Sequence, residues 1–181
     1  QLQSSAASDV YKRQAPKPVE TPAPPAGGGG GGGGGSAPAP APVVNPPLEL
    51  VTPDADRLIF DDSDNFINAL DGDDIIGGMG GNDQLLGGNG SDVINGNWGD
   101  DLVHGNKGSD EVRGGKGNDI VRGGMGHDFL FGGQGDDQLY GGKGYDQLTG
   151  GEGADVFHLS PLDDVVTDFQ VGIDSINTEL V

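Results

Sequence analysis

From residue 54 onward one spacing rules the chain. Aspartate recurs every nine residues, at Asp74, Asp83, Asp92, Asp101, Asp110, Asp119, Asp128, Asp137, Asp146 and Asp155, with no register skipped. Glycine stands two residues before each, from Gly72 to Gly153, and an apolar residue two after: Ile76, Leu85, Ile94, Val103, Val112, Val121, Leu130, Leu139, Leu148 and Phe157. The apolar phase reaches back to Ile67 and Leu58. Three positions locked in phase over ten copies specify a repeat architecture, in which each unit buries its apolar face only by stacking on the next.

One copy, Gly114-Gly115-Lys116-Gly117-Asn118-Asp119-Ile120-Val121-Arg122, shows how little each unit has to bury. The spacing predicts a six-residue turn followed by a three-residue strand with a single inward side chain. Two copies would close one coil, so inward residues of alternate repeats form two facing columns. Burying one aliphatic side chain returns roughly 1.5–3 kcal/mol, well short of the entropy lost in ordering nine residues. Stacking coils also stacks aspartates at about the 4.8 Å strand spacing, where two carboxylates repel by about 0.8 kcal/mol in water and about 3 kcal/mol at an effective dielectric of 20. The pattern therefore calls for cations. The whole chain agrees: 29 acidic against 9 basic side chains give a formal net charge of −20. That balance opposes binding to nucleic acid or an anionic membrane. The absence of cysteine excludes disulfides and thiolate metal sites, and no apolar run approaches the ~18 residues of a membrane span.

The segments GGNGSDVIN, GGKGNDIVR and GGQGDDQLY resemble the RTX (repeats-in-toxin, haemolysin-type) calcium-binding nonapeptide, a repeat type with a known link to Ca²⁺. The resemblance implies an all-β fold, a right-handed parallel β-roll (a β-helix or solenoid) over residues 72–158. It also implies Ca²⁺ as the cofactor, shared by turns one coil apart. Asp74, Asp92, Asp110, Asp128 and Asp146 would then serve one side, and Asp83, Asp101, Asp119, Asp137 and Asp155 the other. Five turns per side leave four gaps, hence up to about eight ions. The early turns depart from the pattern, with Ala69-Leu70 and Gly78-Met79 in place of paired glycines, and Asn97 and Asn106 replace the second glycine of theirs. The sites from Gly87 onward match best.

The flanks read differently. Residues 1–14 contain SSAASDVYKRQ, which resembles the translation of a sequencing-library adapter, and are set aside as an artefact. Residues 15–53 hold eleven of the twelve prolines, ten of them between Pro16 and Pro47, and nine consecutive glycines, the composition of a disordered linker. Residues 54–71 keep the apolar phase without turn glycines, as a degenerate capping coil would. Residues 159–181 form the C-terminal capping segment, where Thr167-Asp168-Phe169 with Gly172, Asp174 and Ile176 is similar to the closing segment of type I-exported proteins. These features predict a non-enzymatic calcium-binding module at the C-terminal end of a secreted, extracellular bacterial protein. Its upstream domain would be missing and the type I export machinery would be a possible partner. The alternatives are the remnant of a secreted RTX protease or lipase, or an adhesive or ice-binding roll. His104, His127 and His158 show no HExxH spacing and are expected at the surface. Phe129, Phe131, Leu102, Ile120 and Tyr140 should point outward, and Trp98, at the third turn position, should be exposed or pack locally.

Overall fold

A computed structural model describes residues 51–160 and 164–178. The expected linker, apart from residues 51–53, and the segment 1–14 lie outside the described residues, as do the last three positions. The strands are β1 (Arg57–Ile59), β2 (Phe66–Asn68), β3 (Ile75–Gly80), β4 (Gln84–Asn89), β5 (Val93–Trp98), β6 (Leu102–Lys107), β7 (Glu111–Lys116), β8 (Ile120–Met125), β9 (Phe129–Gln134), β10 (Gln138–Lys143), β11 (Gln147–Glu152), β12 (Val156–Leu159), β13 (Val165–Val166) and β14 (Ser175–Thr178). No helix occurs among the described residues. Odd-numbered strands form one parallel sheet in the order β1-β3-β5-β7-β9-β11-β13, and even-numbered strands the other, β14-β12-β10-β8-β6-β4-β2. The chain is thus a parallel β-roll of about seven turns, two repeats per coil.

Register is uniform. Ile94 pairs with Val112 and Val103 with Val121, each eighteen residues apart, and the offset slips to nineteen only at the closing pair, Phe157 with Ile176. The apolar residue of every repeat faces inward, and all of them from Ile67 to Phe157 are at most 2% exposed. The two columns meet between the sheets, with Ala69 buried among them and Val51, Phe60, Leu159 and Val166 packed against their ends, partly buried. Phe157 ends the column with Phe169 tilted against it, ring centroids 6.3 Å apart. The expected outward residues do point outward: Phe129 and Trp98 are exposed, while Leu102, Ile120, Phe131 and Tyr140 are half-buried on the sheet faces.

The division of the repeat differs from the sequence expectation. Full strands run six residues, and only three, such as Gly117-Asn118-Asp119, remain as the turn. Each bend lies directly over an identical bend eighteen residues away, so ladder pairing continues through it: Gly115 pairs with Gly133 and Lys116 with Gln134. A parallel ladder needs matching backbones in neighbouring coils and does not need straight ones.

The second position of the glycine pair carries the bend. Gly115 has φ +131°, and a side chain there would strike the carbonyl of Asn97. Non-glycine residues at the equivalent positions retreat to the left-handed region: Leu70 (φ 79°), Met79 (77°), Asn97 (80°) and Asn106 (80°). Asparagine bears this conformation readily, whereas leucine and methionine lose about 1–2 kcal/mol. Replacing the exposed Met79 by glycine is expected to stabilise the roll by about 0.5–1 kcal/mol after allowing for glycine's greater freedom in the unfolded chain. Gly115→Ala should destabilise it by about 1–3 kcal/mol. Thermal midpoints of both variants in one buffer check the pair, and a shift of the same sign in both would contradict this account.

Candidate metal centre

The three-residue turns stack along two edges. Edge I holds the turns that leave the odd-strand sheet and carries Asp83, Asp101, Asp119, Asp137 and Asp155; edge II holds the turns that leave the even-strand sheet and carries Asp74, Asp92, Asp110, Asp128 and Asp146. The structure therefore separates the ten aspartates into the two files expected from their phase, and all ten are at most 3% exposed. Within a file each aspartate N–H donates to Oδ1 of the aspartate eighteen residues later. On edge I, Asp83 donates to Asp101, Asp101 to Asp119 and Asp119 to Asp137, each at 2.8 Å. On edge II, Asp92 donates to Asp110 at 2.8 Å and Asp110 to Asp128 at 3.0 Å. Asp119 and Asp128, adjacent repeats in the sequence, share no contact in either file.

These bonds occupy one oxygen of each carboxylate and leave the other bare. Oδ2 of all ten aspartates is buried and has no hydrogen-bond partner among the described residues. Nine of them, from Asp83 to Asp155, point into the space that the glycine five residues earlier keeps open; for Asp74 that position is Ala69. A methyl group placed on Gly87 would collide with Asp92 Oδ2 and stand 2.8 Å from the carbonyl oxygen of Gly105 in the next coil; Gly123 shows the same arrangement with Asp128 Oδ2 and, at 2.7 Å, the Gly141 carbonyl. Bare carboxylate oxygen and carbonyl oxygen thus face the same small cradle, which repeats at Gly78, Gly96 and Gly132 on edge I. Among the described residues no three His, Cys, Asp or Glu side chains converge on one point, so an ion seated between coils would need backbone carbonyls to complete its shell. An oxygen-only set mixing carboxylates and carbonyls suits a hard cation and is wrong for a soft one.

The chain matches, over overlapping segments 59–94, 77–112, 95–130, 104–139 and 131–166, the family model described as RTX calcium-binding nonapeptide repeat (4 copies). It belongs to that family. RTX repeats bind calcium, and the recognised domain is a repeat β-roll and not a catalytic one. Neither a curated protein nor a solved structure matches the chain.

The RTX ladders extend past the regular repeats at both ends. Asp56 and Asn65 donate their N–H groups to Asp74 and Asp83 Oδ1 at 2.7 and 2.8 Å. At the other end Asp146 donates to Asp164 Oδ1 (3.3 Å) and Asp155 to Asp174 Oδ1 (3.2 Å). Asp168 closes the last bend, its two oxygens each accepting at 2.9 Å from Gly150 and Gly151. Asp164 was not among the expected site residues, although eighteen residues counted from Asp146 reach it. Asp174 hides behind the one-residue slip in register. The histidines lie apart: His104 half-buried, with burial and then Arg122 lowering its pKa, His127 bonded to Tyr145 on edge II, and His158 stacked on Tyr140 at 3.9 Å.

Burial sets the charge of the RTX ladders. It is the largest influence on every one of the ten carboxyls, pushing Asp101, Asp110 and Asp137 from 3.8 up to about 7 and Asp74, Asp119 and Asp146 up to about 6. Asp83, Asp92, Asp128 and Asp155 are raised for the same reason. The backbone N–H bond opposes the rise, and repulsion between neighbouring carboxylates comes third at Asp101, Asp110 and Asp137. Desolvation, more than the mutual repulsion expected from the stacking, is what a cation must offset. Because these pKa values lie above those of the unfolded chain, the cation-free roll holds more protons than the unfolded state between about pH 4 and pH 7, and its stability falls as pH rises through that window. In chelator, the β-sheet circular dichroism signal should therefore strengthen as pH is lowered from about 7 towards 5. A signal that weakens over that range would contradict the assignment.

Proposed function

We propose that this roll is a calcium-dependent folding module, with Asp74, Asp83, Asp92, Asp101, Asp110, Asp119, Asp128, Asp137, Asp146 and Asp155 as its carboxylate ligands and up to about eight ions seated between successive coils. The observation that carries this reading is the ten buried Oδ2 atoms, in two files, without partners among the described residues, nine of them beside the cradle of a missing glycine side chain. Bound calcium supplies six to eight oxygen contacts and two positive charges, which offset the desolvation of the carboxylates. The cradles exist only where two coils are stacked, so ion binding favours the closed roll over the unfolded chain by mass action. At low cytosolic calcium the acidic chain stays unfolded and suited to export, and the higher calcium outside a bacterial cell closes it. The module then serves as the C-terminal part of a secreted extracellular protein, with the type I export machinery as its route. The bonds that Asp164, Asp168 and Asp174 make to the last coils support residues 159–181 as a cap.

Circular dichroism of the full chain with and without calcium, combined with equilibrium dialysis, tests the proposal. The expected result is a transition from disordered to β-rich on adding calcium, with several ions bound. Near-identical β-rich spectra in chelator and calcium at pH 7 would refute it. Asp119→Asn keeps the shape but removes one carboxylate, and is expected to raise the calcium midpoint of folding by about tenfold or more, as loss of even an outer partner of a metal site does.

A further inference from the structure

Edges I and II differ at the residue just before each ladder aspartate. On edge I that position is occupied by Asn82, Asp100, Asn118, Asp136 and Ala154, with Asp64 before Asn65 one coil earlier. Together they form a second hydrogen-bonded file running in the opposite direction to the first: Asn82 N–H donates to Asp64 Oδ1 (2.8 Å), Asp100 to Asn82 (2.9 Å), Asn118 to Asp100 (2.8 Å), Asp136 to Asn118 (2.8 Å) and Ala154 to Asp136 (2.8 Å). Every turn on this edge is tied to the next through both neighbouring residues, by bonds that involve no ion.

Edge II has Asp73, Ser91, Ser109, His127 and Tyr145 at the same position. Asp73 accepts from Ser91 N–H at 2.8 Å, and His127 Nδ1 accepts from Tyr145 N–H at 3.0 Å. Between these, Ser109 and His127 N–H find no side-chain acceptor among the described residues, because a serine hydroxyl on its short stem does not span the step between coils. The charges differ as well. The second file adds Asp64, Asp100 and Asp136 to edge I, and the field of Asp100 reaches both Asp101 and Asp119 while that of Asp136 reaches Asp137 and Asp155. Among the described residues edge II gains only Asp73, and two of its turns follow directly on lysines, Lys107 and Lys143 at the ends of β6 and β10, against one on edge I, Lys116 at the end of β7.

We infer that the two edges are unequal ion ladders: edge I binds calcium more tightly and fills first, and edge II fills later and completes closure. This rests on the calcium reading above and adds an order to it. Edge I turns are already held in binding geometry and stand in a more negative field, so an ion entering there orders less chain and meets more attraction. One hydrogen bond's net worth per turn together with this field is expected to separate the two classes by about tenfold in affinity.

The only tryptophan, Trp98, ends β5 immediately before the edge I turn Gly99-Asp100-Asp101, and so reports on that edge. Terbium, a hard cation that accepts energy from tryptophan, is titrated into the full chain while Trp98-sensitised emission and total bound metal are followed together. The emission should saturate when about half the final metal is bound, with two phases separated by about tenfold. A triple variant, Ser91→Asn, Ser109→Asn and His127→Asn, supplies edge II with the missing file and should merge the phases by tightening the later one. Asn82→Ala with Asn118→Ala should weaken the early phase. A single phase in the native chain, Trp98 emission rising last, or a triple variant with its phases unchanged would overturn the inference while leaving calcium binding intact. No metal uptake at all would overturn the parent reading and this one together.

Discussion

The bond from each aspartate N–H to the carboxylate one coil ahead holds the rest of the roll in place. It fixes the eighteen-residue offset at the turns, where no apolar side chain is available to do so, and it aims the second carboxylate oxygen inward. The strand ladder and the apolar columns then follow in the same register. A shift by one residue would turn every inward aliphatic outward and break both aspartate files together. Shape and charge are thus specified by the same atoms.

The first and second glycines of a turn act through different physics. Gly87 and its equivalents are required for space, since a carboxylate oxygen and a carbonyl from the next coil already converge where a side chain would sit. Gly115 and its equivalents are required for backbone angle and close approach, and here the chain tolerates exceptions by shifting φ at Leu70, Met79, Asn97 and Asn106. Three basic side chains lie over outward-facing rings: Arg113 over the Phe131 ring at 4.5 Å, Lys116 over Trp98 at 5.6 Å and Arg122 over Tyr140 at 5.0 Å. These pairings give the outward-facing aromatic rings cationic partners.

Much of this was legible in the residues. The inward column from Leu58 to Phe157 and the assignment of alternate aspartates to opposite edges both follow from phase alone, because a parallel coil repeats one environment at each position. Where phase fails, the reading fails with it. Asp174 joins its file only after a one-residue slip, and Asp168 caps glycine N–H groups from a segment without the repeat. The six-residue strands were missed because glycine pairs signal turns in most chains, and only stacking identical bends turns them into ladder.

The sequence by itself determined the coil length, the inward residues and the need for cations, since each depends on a local pattern repeated without interruption. Only the tertiary structure decided which carboxylate oxygen is committed to the backbone and which is left bare, and that burial outweighs neighbour repulsion in raising the ladder pKa values. It also decided that the residue before each aspartate is bonded from coil to coil along the whole of one edge and at only two of four steps on the other. Those outcomes depend on distances between atoms eighteen residues apart, and such distances exist only once the coils are stacked.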